Sequence, residues 1–289
     1  MEKKYIITSD DTTDLPASYF SENNVGAISL HCMMDDVVYT LEHPMDGKEF
    51  FDNIRKGKLP TTSQFNPEEA RVFFTKFVEQ GYDILHLSFS SGLSGAYQSS
   101  VIGANEVLEE YPDAKIIVID TMHASLGEGL ILDYAVKLRD EGKSIDEVAK
   151  WVEDNKNNIV GLFVVDDLFH LYRGGRVSKL AAIFGSMASI KPVMHVDTDG
   201  KLSLVTKARG RKKSIQMLAD MMEEYVGQYK DKQSKVFISH GDCREEVAYL
   251  EDMIHDKFGY ETYVNYIGTT IGAHTGCGVI ALFFLGDKR

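Results

Sequence analysis

Between Asp83 and Asp120 the chain runs from an apolar segment through a Ser/Gly-rich loop into an amphipathic stretch that Tyr111-Pro112 ends, and then into a second apolar segment. That order predicts a strand over 83–88, a loop over 89–95, a helix over 96–110 and a strand over 115–120. Two strands joined by a helical crossover lie parallel in one sheet, so the first part of the chain is constrained to an α/β fold. Tyr5 to Thr8 supplies another buried strand. Gly26 to Met34 also has strand character. Helices are expected up to Asn23, over 47–56 and over 67–80, the last capped by Asn66 and carrying apolar residues at Ala70, Phe73, Phe74 and Phe77.

Two more helices are expected at Leu130 to Arg139 and Ile145 to Asn157, and Ile159 to Val165 returns to the core as a strand. The pattern then changes. Lys191 to Val196 and Lys201 to Lys207 flank Asp197-Thr198-Asp199-Gly200, a hairpin turn, so antiparallel pairing begins here. Helices over 211–229 and 245–258 alternate with strands over 234–240, 261–267 and 278–285. The expected architecture is an N-terminal parallel-sheet α/β domain, residues 1–159, packed on a C-terminal α+β domain, residues 160–289.

Composition narrows the function classes. With 44 acidic against 31 basic residues the formal charge is −13, which repels nucleic acid and anionic bilayers. No apolar run reaches the roughly 18 residues of a membrane span, and the first ten residues lack a signal-peptide core. A cytoplasmic location is expected. Cys32, Cys243 and Cys277 are too few and too scattered for a disulfide framework or a zinc cluster. We find no HExxH motif, no paired CxxC and no carboxylate cluster, so no metal and no cofactor are expected.

Three loops carry groups that can meet an anion. Thr61-Thr62-Ser63-Gln64 lies between Pro60 and Pro67, and Ser90-Ser91-Gly92-Leu93-Ser94-Gly95 sits where a strand gives way to a helix, a position that offers free N–H groups. The third loop is a glycine-rich bend, Ile271 to Gly278, that exposes His274. Taken singly, each also fits ordinary turn, cap or structural roles. Two basic clusters, Leu171 to Lys179 and Lys207 to Lys213, stand out against the acidic background as docking surface or as solvated turns. Gly142-Lys143-Ser144 fails as a phosphate-binding loop because Lys137 stands where glycine is required. Ser94, Asp120 and His274 come in the chain order of α/β-hydrolases, which keeps a hydrolase with Ser94 as nucleophile as the alternative, although Ala96 breaks the nucleophile elbow.

At these residues the chain resembles the DegV family, whose members include the fatty-acid-binding subunits of bacterial fatty acid kinase. The resemblance runs from Thr8-Ser9-Asp10-Asp11-Thr12-Thr13-Asp14-Leu15-Pro16 through Pro60-Thr61-Thr62-Ser63-Gln64, Ser91-Gly92-Leu93-Ser94-Gly95-Ala96, Arg173-Gly174-Gly175-Arg176 and Arg209-Gly210 to Ile271-Gly272-Ala273-His274. It implies an acyl chain buried between the two domains and a carboxylate held by Thr62, Ser63, Ser94 and His274, with Thr61 and Ser91 close by. It also implies a non-catalytic role, presenting a long-chain fatty acid such as palmitate to a separate ATP-dependent kinase that docks near Arg173, Arg176 and Arg209. Burying about fifteen carbons at roughly 0.8 kcal/mol each contributes up to about 12 kcal/mol before association costs, so the tail alone can hold the ligand.

Overall fold

The computed structural model describes residues 4–166, 168–177 and 189–289. Ser178 and Lys179, the end of the first basic cluster, lie outside the described residues. Strands β1 (Tyr5–Asp10), β2 (Val25–Ile28), β6 (Asp83–Ser88) and β7 (Ile116–Asp120) form a parallel sheet in the order β2-β1-β6-β7. Helix α1 (Ala17–Glu22) lies between β1 and β2 in the chain. The expected crossover is there, with helix α4 (Ala96–Glu110) between β6 and β7. Helix α4 and α3 (Pro67–Val78) cover one face through Ala70, Phe73, Phe74, Ala96, Ala104 and Val107. Asn66 starts α3 with a capping box: its side chain accepts from Glu69 N–H, and Glu69 accepts from Asn66 N–H.

A second sheet is drawn from the segment Ile159 to Leu285. Its strands β8 (Ile159–Val164), β9 (Ile190–Val196), β10 (Leu202–Arg209), β11 (Lys235–His240), β12 (Glu261–Tyr266) and β13 (Ile280–Leu285) run in the order β10-β9-β8-β13-β11-β12. Only β11 and β12 pair in parallel; the other neighbours are antiparallel. Helices α8 (Arg211–Tyr225) and α9 (Arg244–Phe258) pack on its outer face around Leu218, Met222, Val247 and Leu250. Its inner face turns toward the parallel sheet. Between the two lies helix α5 (Leu126–Asp140), whose Leu126, Leu130 and Ile131 share one core with Ile7 and Leu87 on one side and Phe163 and Phe237 on the other. Helix α6 (Ile145–Asn155) joins that layer.

The structure corrects three local expectations. Gly26 to Met34 is two strands in different sheets, because Leu30 N–H is taken by the Asp11 carboxylate (2.9 Å) and the chain leaves the parallel sheet there. It then enters a small antiparallel sheet of β3 (His31–Met34), β4 (Val37–Tyr39) and β5 (Thr61–Ser63), with Cys32 opposite Thr62. Helix α5 starts at Leu126 rather than Leu130. Gly127 and Gly129 weaken the helical signal but admit the Phe283 ring and the Thr13 carbonyl oxygen. Finally, His274 sits in the last turn of a helix, α10 (Thr269–Thr275), where a bend was expected. Gly272 is buried in that helix, and a side chain there would meet the rings of Phe50 and Phe51 on α2 (Gly47–Arg55).

Because α3 directly succeeds β5, its cap matters to the strand that carries Thr62. Asn66→Ala is expected to cost about 1 kcal/mol of unfolding free energy, read as a lower urea midpoint at unchanged slope. No loss would mean that the capping box contributes nothing net.

Candidate functional site

A cavity of about 340 Å³ opens between the parallel-sheet half and the inner face of the six-stranded sheet. That volume is ordinary for a small-molecule site. Its walls are mainly apolar: Leu30, Phe89 and Leu93 come from one half, and Phe163, Val196, Ile271, Val279, Ala281 and Phe283 from the other. The polar wall is contributed by Thr62, Ser63, Gln64, Ser94, Arg176 and His274, with Ser125, Thr270 and Thr275.

The polar groups are brought together from several elements. Strand β5 presents Thr62, whose hydroxyl lies 2.7 Å from Nε2 of His274 on α10. Ser94 stands one residue before Gly95, the N-cap of α4, and its hydroxyl accepts from Ala96 N–H (3.2 Å). Gly174 closes helix α7 (Phe169–Arg173), and a β-carbon there would collide with Nδ1 of His274, so only glycine lets this turn rest on the imidazole. Arg176 is half-buried. It donates to the carbonyls of Leu93 (3.1 Å) and Gly174 (2.5 Å), and no carboxylate pairs with it among the described residues. A guanidinium held in a mainly apolar cavity by carbonyls, with no carboxylate partner among the described residues, is a ready counter-ion for an anion.

His274 is neutral at ordinary pH. Burial, reinforced by the positive charge of Arg176 and Arg173, pushes it down from 6.5 to about 4. Its Nδ1 is buried without a hydrogen-bond partner among the described residues. Asp120, second in the hydrolase order, instead accepts from the N–H groups of Ser91 and Met122 (3.2 and 3.0 Å). The acid–imidazole pairing of a hydrolase triad is therefore not formed in this structure.

Of the residues singled out in the sequence, Thr62, Ser63, Ser94 and His274 come together in the cavity wall. Thr61 and Ser91 are exposed and do not line it. Arg173, expected on a docking surface, turns inward and donates to the carbonyls of Pro60 (2.8 Å) and Ala273 (3.1 Å), tying α7 to the residue just before β5 and to α10. Arg176 moves from the expected surface to the cavity, whereas Arg209 is exposed. Neither position was legible from charge clustering alone.

A second correction concerns the carboxylates, which do cluster. At the carboxyl end of β1, the Thr12 hydroxyl contacts both the Asp10 carboxylate and Glu128 (2.9 Å), and Asp10 also accepts from Phe89 N–H (2.9 Å). One hydroxyl proton cannot serve two carboxylates, so one of the pair must itself be protonated. Burial raises Asp10 to about 6 and Asp14 to about 7, and lifts Asp11 and Glu128 well above the usual range. Asp14 accepts from the hydroxyl of Ser125, which faces the cavity (2.5 Å). Among the described residues, no three His, Cys, Asp or Glu side chains are grouped to hold a metal.

The sequence profile of the DegV family, described as uncharacterised proteins, matches residues 4–287. The chain belongs to the DegV family. It is 43% identical to a DegV domain-containing protein of Clostridium perfringens over 99% of both chains. Among solved structures it is similar to a DegV lipid-binding protein from Thermotoga maritima (27% identity, TM-score 0.84, 99% of both chains). It is also similar to a DegV family protein from Thermus thermophilus described by its fatty acid binding (27% identity, TM-score 0.86, 98% of this chain and 99% of that one). The mixed α/β architecture, a four-stranded parallel sheet beside a separate sheet, is that of these DegV proteins. No described helix is long and apolar enough to cross a membrane.

The buried imidazole makes stability depend on pH with a defined sign. Unfolded, His274 takes up a proton below about 6.5, whereas folded it does so only near 4, so in that window unfolding binds a proton and acid favours the unfolded chain. Relative to His274→Asn, which cannot titrate, the protein is expected to lose on the order of 3 kcal/mol between pH 6.5 and pH 4. Urea titrations across that range measure the difference, and a flat one would mean that the ring is solvated.

Proposed function

We propose that this protein binds a long-chain fatty acid such as palmitate in the cavity between its two halves, and presents the carboxylate without itself doing chemistry. The observation that carries this reading is the arrangement of the cavity wall: greasy over most of its area, with the Thr62 and Ser94 hydroxyls, the His274 imidazole and the Arg176 guanidinium, which has no carboxylate partner among the described residues, as polar groups. An acyl tail satisfies the apolar wall, and a carboxylate removed from water needs donors and a counter-ion. Ser63 joins this set, and Thr61 and Ser91 adjoin it along the chain. The relatives described as lipid-binding and fatty-acid-binding support the same ligand class.

In this reading the protein is the substrate-presenting subunit of an ATP-dependent fatty acid kinase in the cytoplasm, with residues 1–159 and 160–289 as its two domains. The separate origin of the two sheets supports that division. Arg209, exposed at the end of β10, remains the residue for kinase docking, while Arg173 and Arg176 act from inside. A Ser94 hydrolase has less behind it, since Nε2 of His274 faces Thr62 and Nδ1 has no carboxylate among the described residues to orient the ring.

Two measurements bear on this. Solvent extraction of the purified protein and mass spectrometry of the extract are expected to recover about one fatty acid per chain, non-covalently held. Hydrogen bonds to a charged group contribute about 1.5–3 kcal/mol each, so Thr62→Ala with Ser94→Ala is expected to weaken retention at least roughly tenfold with the fold intact. Arg176→Met should do the same. Unchanged occupancy in both variants would rule out this head-group site.

A further inference from the structure

On the inner face of β13 the alternating residues are Val279, Ala281, Phe283 and Leu285, and the first three line the cavity while Leu285 does not. Helix α10, which carries His274, leads into this strand, so His274 and the Thr62 hydroxyl bonded to it lie toward Val279. Phe283 is four residues, about 13 Å, further on. Midway stands Ala281, whose small side chain leaves the space open above β13. Beyond it the ring of Phe283 is clamped. A β-carbon on Gly161, its partner on β8, would lie 3.1 Å from the ring and 3.3 Å from Val196, and one on Gly127 of α5 would lie 2.7 Å from the ring. The ring therefore bridges the gap between the sheet and the α5 layer, with Val196 also lying over Gly161.

We propose that Phe283, backed by Gly161 and Gly127, is the stop that sets the longest acyl chain the cavity accepts. This rests on the fatty acid reading above. Two structural levers act on the stop in opposite directions. Removing the phenyl ring opens the cavity toward Leu285, and Gly161→Ala crowds the ring and Val196 toward the lumen. Neither Phe283 nor Gly161 contributes a polar group to the head-group set of Thr62, Ser94, Arg176 and His274, so folded variants keep that set.

The experiment is competition for the delipidated protein among equimolar saturated acids of even chain length from twelve to twenty-two carbons, with the bound mixture read by mass spectrometry and folding checked by circular dichroism. Two extra buried methylenes correspond to roughly tenfold in affinity. Phe283→Ala is accordingly expected to raise the ratio of bound acids two to four carbons longer than the preferred one by about tenfold, and Gly161→Ala to shift the distribution to shorter acids. Phe283→Leu, a milder change, is expected to shift it in the same direction as alanine and serves if the alanine variant does not fold. Folded variants that retain lipid with the unaltered protein's chain-length distribution would overturn the stop and leave the fatty acid reading standing. An unaltered protein that takes up no acid at all would overturn both.

Discussion

The contact between the Thr62 hydroxyl and His274 joins residues 212 positions apart, and much of the candidate site depends on it. Strand β5 exists through pairing with β3, and α10, from the C-terminal part of the chain, is packed on Phe50 and Phe51 of α2, so both partners are seated on elements of the N-terminal part. Arg173 reinforces the junction by donating to a carbonyl on each side. The result is a polar rim that neither sheet could make alone, above an interior where small residues keep the layers from closing. Protein cores normally pack at crystal-like density, and here Ala281 and Ala124 in the wall hold a volume open instead.

That electrostatic setting is unusual for an acidic protein. A charge of −13 disfavours anions at long range, yet the Arg176 guanidinium lines the cavity, and the His274 imidazole is kept neutral by burial and by the positive charge of Arg176 and Arg173. Local desolvation dominates over distant net charge because the field of surface carboxylates is screened within about 10 Å, whereas a buried pair is not. The site can therefore favour one negative group while the surface repels most others.

Much of this architecture is legible in the sequence because it rests on local periodicity. The crossover from β6 through α4 to β7, the 197–200 hairpin and the Asn66 cap all come from spacing and turn residues. The failures have a common cause in non-local contacts. A carboxylate at Asp11 ends a strand nineteen residues away, and the rings of Phe50, Phe51 and Phe283 explain glycines that otherwise argue against helix. The hydroxyls and the histidine were identifiable by residue type. Arg176 was not, because its sequence neighbourhood is that of a solvated basic turn, and only folding places it against Leu93.

The acidic knot at the end of β1 bears on how the molecule carries its charge. Thr12 has a single proton to share between Asp10 and Glu128, and burial lifts Asp11 and Asp14 as well, so the count that assigns a full negative unit to every aspartate and glutamate overstates the folded protein's charge near neutrality. Unfolding releases those protons, and the loosened chain becomes more anionic than the native one. Its electrophoretic mobility should accordingly differ from the folded form by more than its expansion alone would produce.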